Sequence, residues 1–151
     1  MRKLTIMVAA TALASGCATT LPPISASAAP ELRMWHTVAL LDDGIKVVVV
    51  TPGVVRFYSG RDVEAVKLVQ LVRTPQADEV LGELEELEEH DGKWLSCSRI
   101  KDGWSLKVEG ASSAGRFKFT AHVPNVCEEG PSKKVFEVYS RLMALREERP
   151  N

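Results

Sequence analysis

The run Ile45–Thr51 constrains the fold more than any other segment, because it is almost entirely β-branched and apolar on both sides of a strand. Its alternate residues divide into two sets, Ile45, Val47 and Val49 on one side and Lys46, Val48 and Val50 on the other. A strand with two apolar faces is typical of the interior of a sheet. Residues 42–44, Asp-Asp-Gly, predict a hairpin with a strand over 33–41. Pro52-Gly53 ends the run, and 54–58 is predicted as the next strand.

Residues 63–72 fit two patterns. Their valines recur at helical spacing, but the segment is rich in β-branched residues and leads into Thr74-Pro75, a helix start. We therefore predict a strand over 63–72 and a helix from 75 to about 89. The apolar stripe of that helix is Val80, Leu81, Leu84 and Leu87, and its other face is strongly acidic.

The second half of the chain repeats the order of strands followed by a helix. Residues 94–100 and 104–109, joined by Lys-Asp-Gly, predict a second hairpin, and 116–123 predicts a further strand. Apolar and polar residues alternate along the strands at 104–109 and 116–123, so one set of side chains is expected to face inward: Trp104, Leu106, Val108, Phe117, Phe119, Ala121 and Val123. A last helix is predicted over 132–146, with Val135, Val138, Leu142 and Leu145 on its buried face. The expected fold is α+β: one antiparallel sheet of about five to six strands with two helices packed on one face.

The N-terminus has the layout of an export signal. Arg2 and Lys3 precede an apolar stretch over 4–14, which is too short to span a bilayer, and Ser15-Gly16 leads directly into Cys17. This ending resembles the lipobox of bacterial lipoproteins, although Ala14 stands where that family prefers Leu. The resemblance implies that residues 1–16 are removed, that Cys17 carries lipid including palmitate, and, with Ala18 rather than Asp next, that the chain faces the periplasm from the outer membrane. The alternative is a plain signal cleaved at 26–28, which would release the chain into the periplasm.

Three regions follow: a signal peptide over 1–16, a lipidated N-terminus and flexible tether over 17–32, and one globular periplasmic domain over 33–149. Removing Arg2 and Lys3 leaves 17 basic against 20 acidic side chains, a net charge of −3. This charge argues against nucleic acid as a partner, since such binding needs a concentrated basic surface. No cofactor is expected.

Two cysteines remain in the domain, Cys97 and Cys127. In an oxidising compartment such a pair predicts a disulfide, worth roughly 3 kcal/mol for a loop of about 30 residues. Two buried free thiols are the alternative. No metal site is expected, because neither cysteine has a Cys or His at ligand spacing.

The outward side chains of the last two strands include Lys107, Arg116, Lys118 and His122. Two interpretations stay open for them, a plain solvated face and a docking surface for an acidic protein partner. The acidic helix is likewise either solvated or a steering surface for a basic partner. The chain contains no G-x-S-x-G, H-E-x-x-H, phosphate-loop or dinucleotide motif, so no catalytic residue is assigned and no enzymatic activity is expected.

The element order, and the segment Asp-Gly-Trp-Ser-Leu-Lys-Val over 102–108 before a last helix, is similar at the level of pattern to the small emfourin-type protease inhibitors. The similarity implies a binding protein and assigns no inhibitory residue. The expected function is a membrane-anchored envelope lipoprotein that binds a protein, in its most concrete form an inhibitor or immunity factor against a periplasmic enzyme or toxin. The alternatives are an assembly lipoprotein of an envelope complex and a small hydrolase.

Overall fold

A computed structural model describes residues 20–24, 29–38, 44–62, 64–97 and 103–147. Cys17, the signal region and parts of both predicted hairpin turns, at 42–43 and 101–102, lie outside the described residues. Within the described residues, seven strands, rather than the expected five to six, form one sheet in the order β4-β3-β2-β1-β6-β7-β5. They are β1 (Glu31–Val38), β2 (Ile45–Thr51), β3 (Val54–Gly60), β4 (Val66–Arg73), β5 (Trp94–Leu95), β6 (Trp104–Ala111) and β7 (Arg116–His122). The helices are α1 (Gln76–Leu81), α2 (Leu84–Glu88) and α3 (Gly130–Glu147), and the fold is mixed α+β, as expected.

Strand β2 lies inside the sheet, as its two apolar faces predict. It pairs antiparallel with β1 on one side and β3 on the other. Val48 and Val50 belong to one buried cluster, and Val47 and Val49 to a second cluster on the opposite face. The prediction of a strand over 63–72 is confirmed as β4, which pairs with β3 through an irregularity at Phe57/Tyr58.

The single helix predicted over 75–89 is wrong: two short helices, α1 and α2, occupy this segment. Gly82 separates them, and glycine in a helix interior costs about 1 kcal/mol relative to alanine. Repulsion between closely spaced carboxylates weakens the helix further. The predicted stripe is nonetheless buried at Val80, Leu84 and Leu87.

The predicted hairpin between 94–100 and 104–109 is also wrong. Strand β6 has no free edge, because β1 pairs with one side of it and β7 with the other. Strand β5 is only two residues long and pairs in parallel with β7 at the edge of the sheet. The chain after α2 is guided to this edge by bonds to β7: the Gly92 N–H donates to the Lys118 carbonyl and the Thr120 N–H to the Lys93 carbonyl.

Among the described residues, one large buried cluster joins side chains from six strands to side chains from α1, α2 and α3. The inward set predicted for β6 and β7 is buried except for Trp104, which is half-buried. Val123 is buried too, but its φ of 44° takes it out of the strand into the 3₁₀ turn Pro124–Val126. On α3 the predicted stripe is buried, namely Val135, Val138, Leu142 and Leu145.

The opposite face of the sheet carries a smaller cluster of Trp35, Val47, Val49 and Val66. Residues 20–24, expected to be part of a flexible tether, lie on this face; we call them the N-terminal strap. Leu21 packs against the smaller cluster and Ile24 is buried. Strand β1 also begins at Glu31, two residues before the predicted domain boundary. The described part of the tether therefore belongs to the folded domain.

Candidate functional site

Strands β6 and β7 bring the predicted basic candidates onto one face of the sheet. Their register sets Ser105 opposite His122, Lys107 opposite Thr120, Glu109 opposite Lys118, and Ala111 opposite Arg116. Side chains at alternate positions of a strand share a face, so Lys107, Arg116, Lys118 and His122 all lie on the face opposite the helices. We call this area, together with Trp94 of β5, the β6/β7 surface.

Carboxylates partly balance the charge of this surface. The Lys107 Nζ lies 2.6 Å from Glu109 Oε1, and Glu109 faces Lys118 across the strands. Lys107 is half exposed, so this ion pair contributes little to stability. Its ammonium also lies 6.0 Å from the ring centroid of Trp35, at the limit of a cation–π contact. The surface is thus mixed in charge, with Arg116 and Lys118 exposed at its edge.

An exposed tryptophan, which the sequence patterns did not single out, dominates this surface. Trp94 is 66 % exposed, although Leu95 beside it is buried. Its indole stacks on the His122 imidazole, with ring centroids 5.5 Å apart. The Nδ1 atom of His122 lies 3.0 Å from the hydroxyl of Ser105 on the neighbouring strand. The only signal in the sequence was a large aromatic residue three positions before a cysteine.

The predicted disulfide is confirmed, and it lies next to Trp94. Cys97 and Cys127 are bonded, with Cα atoms 5.7 Å apart. Cys97 follows β5 and Cys127 follows the turn after β7, so the bridge fastens the short edge strand to its neighbour. Because β5 pairs through only two residues, this covalent link adds to the flanking hydrogen bonds with β7 in restraining the position of Trp94.

A groove of about 430 Å³ lies where the N-terminal strap meets the β6/β7 surface. Its walls come from the strap, from the segment after α2 and from both strands: Pro23, Ile24, Asp91, Glu109, Gly110, Arg116, Phe117 and Lys118. Acidic and basic groups both line it. The groove extends the surface toward the strap and gives a partner a concave region lined by Arg116 and Lys118.

His36 lies on the helix side of the sheet, in a partly buried aromatic cluster. Its Nδ1 atom is 3.0 Å from the Tyr139 hydroxyl, and its ring centroid is 4.5 Å from that of Trp104. Burial lowers the pKa of His36, and the nearby Lys46 lowers it further. Burial raises the pKa of Tyr139 to about 12. Both groups are therefore neutral near pH 7, which suits a place in the core.

The acidic side chains of α1, of α2 and of the turn between them are partly engaged within the fold. Glu83 pairs with Arg141 at 2.5 Å, and Glu86 pairs with Lys134. Glu88 accepts a hydrogen bond of 2.7 Å from Ser112. Two of these contacts join the acidic helices to α3, so this surface is less available for a basic partner than its sequence indicates.

Among the described residues, no three side chains of His, Cys, Asp or Glu are grouped so that they could hold a metal ion. In the same part of the chain, no helix is long and apolar enough to cross a membrane. Neither a protein-family model nor a curated protein matches the chain.

Proposed function

We propose that this chain is a lipid-anchored envelope protein that binds another protein through the β6/β7 surface. Two features of the chain support the location. The segment before Cys17 resembles a lipoprotein signal, and the Cys97–Cys127 disulfide suits an oxidising compartment such as the periplasm. The lipid on Cys17 attaches the chain to the outer membrane, facing the periplasm.

The exposure of Trp94 is the observation that carries the binding role. Tryptophan is enriched among the residues that dominate binding energy at protein interfaces. An indole that is 66 % exposed in the free protein offers a large apolar area to a partner. The stack on His122 and the nearby disulfide restrict its motion before binding, which reduces the entropy lost when a complex forms.

The chemistry around Trp94 indicates a partner with acidic side chains around an apolar centre. Lys107, Arg116 and Lys118 lie on the same face of the sheet as the indole, and opposite charges guide association and select the partner. An inhibitor or immunity factor against a periplasmic enzyme or toxin fits a compact, disulfide-braced domain held at the membrane. An assembly role in an envelope complex is the alternative.

Capture from detergent-solubilised envelope with the full lipidated chain tests the proposal. The double variant Lys107→Glu, Lys118→Glu should reduce capture of the partner about tenfold, because two attractive charges become repulsive. The matched control is Lys133→Glu, Lys134→Glu on α3, which changes the same charge at side chains of similar exposure. A captured enzyme or toxin supports the inhibitor role, and a captured membrane complex supports the assembly role. Equal capture by both double variants would rule out the β6/β7 surface.

One contact favours the small hydrolase as a second candidate. The 3.0 Å approach of Ser105 Oγ to His122 Nδ1 suits a nucleophile with its base. His122 would take the hydroxyl proton as Ser105 attacks an ester carbonyl carbon, and would return it to the leaving alcohol when the ester C–O bond breaks. If the purified domain hydrolyses ester substrates and Ser105→Ala abolishes the activity, the chain is an enzyme and the binding proposal fails. If the wild-type domain hydrolyses no ester substrate, the hydrolase function is excluded.

A further inference from the structure

The N-terminal strap fixes the place where the chain enters the domain. The Thr20 hydroxyl donates a 2.8 Å hydrogen bond to the carbonyl of Glu64, in the connection between β3 and β4. Leu21 packs against the smaller cluster. The Arg33 guanidinium, itself buried, donates a 2.6 Å bond to the Pro22 carbonyl. The chain therefore arrives beside the start of β4 and is held there by two hydrogen bonds and an apolar contact.

This entry point lies close in sequence to the proposed anchor. Cys17 precedes Thr20 by three residues, and three residues reach at most about 11 Å when fully extended. A lipid on Cys17 would consequently keep the β3–β4 connection near the headgroups. A flexible tether over all of 17–32 would have allowed the domain to move much more widely.

Strand β4 exposes apolar side chains beside this entry point. Leu68 and Val69 are each 52 % exposed, and Lys67 before them is exposed as well. The strand is one edge of the sheet. Apolar residues on an open edge favour aggregation in water, whereas at a bilayer they can enter the boundary between headgroups and acyl chains, with Lys67 extending to the phosphates.

We propose that the edge strand β4 rests on the phospholipid surface and that the strap orients the domain there; the inference depends on the lipidation of Cys17 proposed above. Strand β5, which carries Trp94, is the opposite edge of the sheet. Six strand spacings of about 4.8 Å separate the two edges, roughly 29 Å in total. The binding surface at Trp94 therefore points away from the membrane, toward a partner in the periplasm.

Coupling the mature chain to vesicles tests this orientation independently of lipidation in the cell. The chain over 17–151 contains every described residue, and its Cys17 thiol can react with a maleimide lipid in phosphatidylethanolamine and phosphatidylglycerol vesicles while Cys97 and Cys127 stay bonded. Amide exchange in 66–73 should slow severalfold on coupling. Iodide should still quench the fluorescence of Trp94, measured as the difference between wild type and Trp94→Phe.

The variant Leu68→Asp, Val69→Asp should lose the slowing, because two carboxylates cannot enter the bilayer boundary. The control Asn125→Asp, Val126→Asp adds the same charge at exposed residues beyond the end of β7 and should keep it. The proposal would be overturned by unchanged exchange on coupling, by equal slowing in both variants, or by loss of iodide access to Trp94. Slowing that grows with protein density would indicate pairing of two β4 edges and would also overturn it.

The two proposals fail in different measurements. If mass spectrometry of the chain purified from cells finds no acyl group on Cys17, the lipid anchor is contradicted. The chemically coupled chain would still show whether β4 contacts lipid.

Discussion

The indole of Trp94 and the imidazole of His122 stack with their centroids 5.5 Å apart and their planes inclined by 29°. Trp94 belongs to the two-residue edge strand β5, and His122 is the last residue of β7. The contact therefore holds an exposed aromatic residue against the face that carries the basic side chains. The proposed binding of a partner depends on this stacking contact.

Replacing Trp94 by alanine should weaken partner capture about thirtyfold, since interface tryptophans commonly contribute about 2 kcal/mol or more. The free energy of unfolding should change little, because the side chain is 66 % exposed. Capture by Trp94→Ala and by Val126→Ala, an exposed residue outside the surface, should be compared with urea unfolding of both. Full capture by Trp94→Ala would show that the indole is not part of the interface.

Removing the disulfide with Cys97→Ser, Cys127→Ser should lower the free energy of unfolding by about 3 kcal/mol, because a loop of about 30 residues is no longer closed. The edge strand should also loosen. Amides in 93–97 should therefore exchange faster than they do in the wild type, and this increase should exceed any increase in the central strand β2. Urea unfolding and amide exchange measure the two effects. A loss below about 1 kcal/mol would contradict a stabilising role for the bridge.

The sequence predicts those elements whose partners are local or whose pattern is strong. Strand β2 follows from its two apolar faces, and the buried stripe of α3 follows from its periodicity. The pairing of β5 cannot be predicted from the sequence, because a two-residue strand has no pattern of its own. This strand is placed by a disulfide and by contacts to β7. A local turn signal at 101–103 favoured the wrong neighbour for β6.

The strap shows the same limit. Its residues, Thr-Leu-Pro-Pro-Ile, are uncharged and aperiodic. It is held through the Pro22 carbonyl, the Thr20 hydroxyl and the apolar contacts of Leu21 and Ile24, which form no periodic stripe. Backbone acceptors leave no trace in sequence patterning, so this segment was expected to be a tether. Trp94 was missed for a related reason, since patterning does not distinguish an exposed aromatic residue on an edge strand from a buried one.

The variant Arg33→Met should lower the free energy of unfolding by about 2–3 kcal/mol, because it leaves the mostly buried Glu31 without its cation and Pro22 without its donor. Exchange and proteolysis at 20–24 should increase. Lys133→Met is the control, since its ion pair with Glu137 is exposed and should contribute less than about 0.5 kcal/mol. Equal losses in the two variants would contradict a structural role for the Arg33 contacts.

Stability should fall as pH decreases below about 6.5. Burial lowers the pKa of His36 in the folded state, so the unfolded chain binds more protons in this range and gains stability relative to the fold. The variant His36→Gln should flatten the dependence measured by urea unfolding between pH 7.5 and 5.5. Some slope should remain, because burial also lowers the pKa of His90. An unaltered slope in His36→Gln would assign the dependence to other groups.

The anchor at Cys17 is the central claim, because both the location and the orientation of the domain depend on it. Metabolic labelling with palmitate, followed by purification of the chain, tests it most directly. The account predicts label in the wild type and none in Cys17→Ser, with the variant found outside the membrane fraction. Equal labelling of both chains, or none in either, would contradict the anchor.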